Sequence, residues 1–149
     1  MSEGTCPRVA VSLGNGEGEH TDAAAFAFDF AVPVDTPLVA TDAGTVTHLF
    51  ANTRSGEPCW TGGGPECANK ANFVTPRHED GTATHYRHLN AVMVEAGQGV
   101  PRRAAIGLSG ATGVAAGPHA HVARQADCGL SQCPSMRCGS PTSATTGCR

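Results

Sequence analysis

The sequence predicts an all-β domain, an antiparallel sandwich or barrel with long Gly/Cys-rich loops. One observation is the period-two alternation of AFAFDFAV, residues 25–32, which sets Phe26, Phe28 and Phe30 on one face and Ala25, Ala27, Asp29 and Ala31 on the other. A second is the recurrence of turn signals, such as Asp42-Ala43-Gly44 and Asp80-Gly81, between short apolar runs. The third is that no amphipathic helical run of useful length occurs. The 149 residues suit one domain, and a chain of that size buries about 70% of the surface it exposes when unfolded. Aromatic residues are 5% of the chain, whereas Gly numbers 19 and Pro 10, so the core is expected to be thin and built from Val, Ala, Leu and a few Phe.

After the alternating run, residues 33–50 predict a turn, a strand, a tight turn at residues 42–44 and a second strand. Residues 51–70, ANTRSGEPCWTGGGPECANK, have no periodicity; a loop of that length is usually functional or tied down, and Cys59 with Cys67 would tie it. Residues 71–90 predict a hairpin whose second strand ends at Tyr86-Arg87-His88-Leu89. Strict alternation there puts Tyr86 and His88 on one face and His85 on the other. AVMVEAGQGV follows as a short strand and a Gly turn. Residues 106–123 are expected to be a Gly-rich loop feeding a strand that carries Gly117-Pro118-His119-Ala120-His121. From residue 127 onward the chain is Cys, Ser, Thr and Gly with almost nothing apolar, a tail stapled by cysteine or disordered. The expected division is therefore a domain over residues 1–126 and a Cys-rich tail over 127–149.

Charge and cysteine content narrow the function classes. The formal charge is −3, with no basic run to follow a phosphate backbone, which argues against nucleic acid as a partner. No segment approaches the length of a membrane span. Seven cysteines imply disulfides in an oxidising compartment or a metal cluster. The intervals Cys59-x7-Cys67 and Cys128-x4-Cys133-x4-Cys138, with Cys148 and Cys6 apart, match no structural zinc site, so disulfides are expected, with one thiol left over. The first residues show no basic region followed by an apolar one, and the N-terminus is read as that of a mature or excised domain with an added start Met. The expected location is secreted or in the cell envelope.

Two histidines at i and i+2, His119 and His121, project side by side from an extended strand. Asp29 is a carboxylate on a face otherwise made of alanines, a placement that costs desolvation unless a cation or hydrogen bonds compensate. His20 lies upstream in EHTDAAAFAFD, where a loop can return its ring to the strand, with Asp22 as a competing ligand. Histidine with a single carboxylate is a common set for a catalytic zinc, three protein donors and one open position. His48, His78 and His85 are assigned to strand faces or turns. The Gly-rich run 107–117 lacks the Lys and following helix of a phosphate-binding loop, so it is assigned to structural turns.

The ordered blocks His20…Phe28-Asp29-Phe30-Ala31-x-Pro33-x2-Thr36-Pro37-x2-Ala40-x3-Gly44, then Tyr86-x-His88-Leu89, then Ile106-Gly107-x2-Gly110-x-Thr112-Gly113, then Gly117-Pro118-His119-x-His121, resemble the lysostaphin and staphylolysin (LytM-type) family of zinc endopeptidases, over residues 20 to 123. The resemblance implies an antiparallel β fold of the duplicated-hybrid-motif type with its site in a groove between loops. It also implies Zn²⁺ held by His20, Asp29 and His121, with His88 and His119 as catalytic residues flanking a metal-activated water. The implied substrate is peptidoglycan peptide, and a monomer is expected. Ala120 replaces a larger aliphatic residue, the His20-to-Asp29 interval is the longer, staphylolysin-like one, and the Cys-rich tail stands where an apolar closing strand is expected. Two rival readings are a non-catalytic, wall-binding or regulatory member of the same family and a phosphoryl-carrier domain of similar β architecture.

Overall fold

The computed structural model describes residues 9–137. Its strands are β1 (Ala10–Leu13), β2 (Phe28–Ala31), β3 (Pro37–Val39), β4 (Gly44–Phe50), β5 (Phe73–Arg77), β6 (Thr82–Arg87), β7 (Leu89–Val92), β8 (Gly99–Val100), β9 (Ala105–Ser109) and β10 (Ala120–Ala126). Two short 3₁₀ turns, Asp22–Ala24 and Pro65–Cys67, are the helical elements among the described residues. The strands form a seven-stranded sheet in the order β1-β2-β10-β6-β5-β4-β8 and a three-stranded sheet in the order β3-β9-β7. Every strand pairing is antiparallel, so the all-β antiparallel architecture expected from alternation and turn chemistry is what the chain adopts. None of the described helices is long and apolar enough to cross a membrane.

The core is thin, as the composition implies. Val46, Val74, Tyr86, Leu89, Val94, Val100 and Ile106 cluster with Ala40, and Leu38, Leu49, Val92 and Val122 pack around them. Each fully buried Leu or Ile adds roughly 1.5–3 kcal/mol. Tyr86, with 1% of its surface exposed, is the largest of these, and its hydroxyl accepts from the Thr41 amide at 2.8 Å.

Four local expectations differ from the structure. The run 25–32 yields a shorter strand, because residues 22–24 form a 3₁₀ turn and the Ala27 amide caps it by donating to the Ala24 carbonyl at 2.8 Å. Residues 105–109, expected within a loop, form β9 at the centre of the small sheet; Gly107 lacks the Cβ that would collide with the Ala91 carbonyl of β7, and this close approach hides the strand from a propensity argument. β1 forms over residues 10–13, where no strand is expected. The fourth difference is at His88. Its φ of +65° ends β6 and begins β7 on the other sheet, so Tyr86 and His88 do not share a face. Tyr86 points into the core, while His85 lies on the face that bears His121, because His85 pairs with Ala123, two residues on from His121 in β10.

The Cys-rich segments are tied. Cys59 bonds to Cys67 within the long loop, as the spacing suggested, and Cys128 bonds to Cys133. The second loop folds back over β10: the Met136 amide donates to the Arg124 carbonyl at 2.7 Å, and the Ser131 carbonyl accepts from Thr75 Oγ1 at 3.2 Å and Gln125 Nε2 at 3.1 Å. The expectation that the tail is stapled or disordered extends to Cys138 and Cys148 and, with Cys6 and the leftover thiol, lies partly outside the described residues.

Candidate metal centre

One row of paired residues runs across the large sheet, perpendicular to its strands. Leu13 pairs with Asp29, Asp29 with His121, His121 with Arg87, Arg87 with Phe73, and Phe73 with Phe50. Cross-strand partners project from the same face about 5 Å apart. Residues 92 positions apart in sequence, Asp29 and His121, therefore meet: His121 Nδ1 lies 2.9 Å from Asp29 Oδ1. His20 arrives from the loop after β1, its Nε2 3.2 Å from the same oxygen. His119 Nε2 lies 3.7 Å from Asp29 Oδ2. The His88 ring completes the group, with ring centroids 4.6 Å from His119 and 5.9 Å from His121.

All five candidate residues named from the sequence thus converge. Donor atoms of His20, Asp29 and His121 lie within 4.8 Å of one another, and so do those of His88, His119 and His121. Asp22 is exposed in its 3₁₀ turn and takes no part. His48, His78 and His85 stand outside both groups. His78 is buried between the Ala43 carbonyl, at 2.6 Å, and Thr84 Oγ1, at 2.7 Å.

Backbone carbonyls orient three of the four imidazoles. His20 Nδ1 donates to Gly14 at 2.9 Å, His88 Nδ1 to Thr112 at 2.7 Å and His119 Nδ1 to Gly117 at 2.9 Å. A carbonyl only accepts, so each Nδ1 bears the proton and each Nε2 offers a lone pair. For His20 this sets an acceptor against an acceptor, the Nε2 lone pair against Asp29 Oδ1 at 3.2 Å. Such a contact is repulsive unless a proton or a cation lies between the two. His121 Nε2 is buried without a hydrogen-bond partner, the one such side-chain atom among the described residues. A divalent cation fits this donor set: two imidazoles and a carboxylate, one of the imidazoles fixed by a carbonyl behind it.

Electrostatics agree with that fit. Burial works to raise the Asp29 carboxyl, but the His121 hydrogen bond and the charges of His119, His121 and His20 outweigh it, and the pKa is lowered. Asp29 therefore presents an anion. His88 is pushed down to about 3, chiefly by burial, and is held neutral against the opposing effect of its bond to Thr112.

The left-handed backbone of His88 is held by groups outside the set of residues predicted to bind metal. Asn72 Nδ2 donates to the carbonyls of Thr53, at 2.8 Å, and Leu89, at 3.0 Å. Thr112 Oγ1 accepts from the Asn72 amide at 2.9 Å and donates to the Leu89 carbonyl at 3.0 Å. Gly113, with φ +84°, packs so close to Ala71 that a Cβ would fall 2.6 Å from that methyl, and its amide donates to Cys59 at 2.9 Å. The disulfide-tied loop thereby braces the segment that orients His88. The sequence signal for this was present in Gly110-x-Thr112-Gly113, as a motif without a role.

Comparison with known proteins follows the same lines. The family model described as Peptidase family M23 matches residues 24–130. The chain is 34% identical over 93 residues to the peptidoglycan DD-endopeptidase ShyA of Vibrio cholerae, covering 62% of this chain and 18% of that protein. An uncharacterized metalloprotease of Buchnera aphidicola is 32% identical over 93 residues, covering 62% and 21%. The chain thus spans about a fifth of the length of these curated relatives. Among solved structures, a zinc containing peptidase from Vibrio cholerae superposes with a TM-score of 0.52 at 31% identity over 66% of this chain and 26% of that one. The catalytic domain of lysostaphin from Staphylococcus simulans gives 0.62 at 22% identity over 91% and 89%, a likeness of fold.

Proposed function

The chain belongs to peptidase family M23, and from that premise we propose that it is a zinc-dependent endopeptidase hydrolysing peptide bonds of bacterial peptidoglycan. The observation that supports it most is the contact between His20 Nε2 and Asp29 Oδ1, two acceptors facing each other at 3.2 Å beside His121 Nδ1. His20, Asp29 and His121 are assigned as the zinc ligands. Of the two trios, theirs contains the carboxylate, and an anionic donor offsets a dication where three neutral imidazoles do not.

Zinc held by these three residues would supply Lewis acidity and make water acidic enough to ionise at about pH 7. The remaining chemistry belongs to His88 and His119. Both offer Nε2 toward the cluster from rings locked at Nδ1, so each is ready to accept a proton without reorienting. Burial holds His88 neutral in the resting site. Negative charge developing on the attacked carbonyl raises the proton affinity of a neighbouring imidazole, which then donates to the oxyanion or the leaving amine. The buried Thr112–Asn72–Leu89 network fixes the position from which His88 does this. Two disulfides fit an oxidising location, outside the cytoplasm or in the envelope.

The test is metal analysis of the purified chain and of Asp29→Ala and His121→Ala, with clearing of cell-wall suspensions followed in parallel. The expected result is about one zinc per wild-type chain with lysis, and loss of both in each variant. Variants that keep full zinc and full lysis would refute the ligand assignment.

A further inference from the structure

Arg87 has a position that neither metal binding nor proton transfer explains. It follows His121 in the transverse row, on the same sheet face and one strand away, with Phe73 next and Phe50 beyond; the two phenyl rings stack at 18° with centroids 6.3 Å apart. Other strand arginines have carboxylates: Arg77 pairs with Asp127 at 2.6 Å and Arg124 with Asp80 at 2.9 Å. Arg87 is half-buried, and among the described residues its guanidinium makes one hydrogen bond, NH1 to Gln132 Oε1 at 3.3 Å, and meets no carboxylate. The groups that feel its charge are His85 and His88. Burial lowers its own proton affinity.

A guanidinium partly out of water, beside a cluster built for a cation and with no counter-ion among the described residues, is unfavourable on its own. Among the described residues one of its five N–H donors is used, and the others suit a carboxylate in a two-pronged contact. Resting on the peptidase reading above, we propose that Arg87 binds a carboxylate of the substrate peptide within about two residues of the scissile bond. The distance follows from spacing: adjacent strands lie about 4.8 Å apart and an extended peptide advances about 3.3 Å per residue, so a peptide laid along the row passes Arg87 within that interval of the metal cluster. The loop closed by Cys128 and Cys133 supplies Gln132 and so holds the guanidinium over the row.

The experiment compares a cross-linked peptidoglycan peptide whose non-scissile carboxylates are free with the same peptide carrying carboxamides. Wild type, Arg87→Gln and Arg87→Lys are assayed at measured zinc content. Charge-assisted hydrogen bonds of this kind correspond to a preference of roughly 10- to 100-fold. The wild type is expected to favour the free peptide by that factor in KM. Arg87→Gln loses the preference, so that its KM values for the two peptides become equal, and Arg87→Lys keeps part of it. A merely structural role would slow both peptides equally and leave their ratio unchanged. Cleavage of both peptides with equal KM by the wild type, or an undiminished preference in Arg87→Gln, overturns the inference and leaves the peptidase reading standing. A zinc-loaded wild type that cleaves neither peptide, nor cell walls, overturns both.

Discussion

The perturbation that isolates a single number from this structure is protonation of His85. Its ring is buried on the site-bearing face of β6, with Nδ1 2.8 Å from Thr75 Oγ1 and its centroid 5.1 Å from that of Phe73. Burial, then the charges of His121, Arg87, His88 and His48, bring its pKa down to about 3 from an ordinary 6.5. The folded value is depressed, so between pH 6.5 and 3 the unfolded chain binds the proton and the folded chain does not. The contribution to stability is complete above pH 6.5, falls as the pH is lowered through that window, and levels off below it. One proton is worth about 1.4 kcal/mol per pH unit, so going from pH 7.5 to 4.5 costs roughly 2–3 kcal/mol through this residue. Urea unfolding of wild type and His85→Gln at the two pH values, both chelated so that metal-linked protons cancel, reads the effect. At pH 7.5 the variant is expected to be less stable by about 1–2 kcal/mol, for the lost hydrogen bond and packing. At pH 4.5 that deficit should vanish or reverse. Parallel pH dependences in the two proteins would refute the argument that burial keeps His85 neutral. The functional consequence is that a neutral His85 adds no positive charge to the face that His121 and Arg87 share.

Two further predictions concern the cluster and its support. His88→Ala is expected to retain zinc while kcat/KM falls by about 10²-fold or more, the scale of losing a general acid or base; loss of zinc with His88→Ala and its retention in Asp29→Ala would shift the metal to the His88–His119–His121 trio. Cys59→Ser/Cys67→Ser is expected to lower unfolding stability by up to about 2.5 kcal/mol, from the loop-closure entropy of so short a loop. It should also slow hydrolysis several-fold at full zinc content, because Cys59 braces Gly113 next to the carbonyl that orients His88; unchanged kinetics in the double variant would disconnect that loop from the site.

The residues that bring their chemistry to the cluster were legible, and the conformation that aims one of them was not. Asp29 stood out because alternation placed a carboxylate among alanines, and His119 with His121 because a Gly-Pro break precedes two imidazoles at strand spacing. Pairing across β2, β10 and β6 then brings together groups that no local window contains, and the ordered blocks had to stand in for that information. Strand periodicity failed at His88. It assigned Tyr86 and His88 a common face, but those two side chains have opposite requirements, the phenol ring the core with its hydroxyl at Thr41 and the imidazole a carbonyl at Thr112. A single left-handed residue satisfies both by ending one strand and starting another on the second sheet. For a non-glycine residue that backbone costs of order 1–3 kcal/mol and persists only where its surroundings over-determine it. Here the surroundings are Asn72 and Thr112, which bond to each other and to the carbonyl and amide of Leu89, the residue that follows His88, in buried hydrogen bonds. Strain at His88 and the buried polar network beside it are therefore one device: the network stabilises the left-handed turn, and the turn brings to the cluster a side chain that alternation alone would have sent into the core with Tyr86.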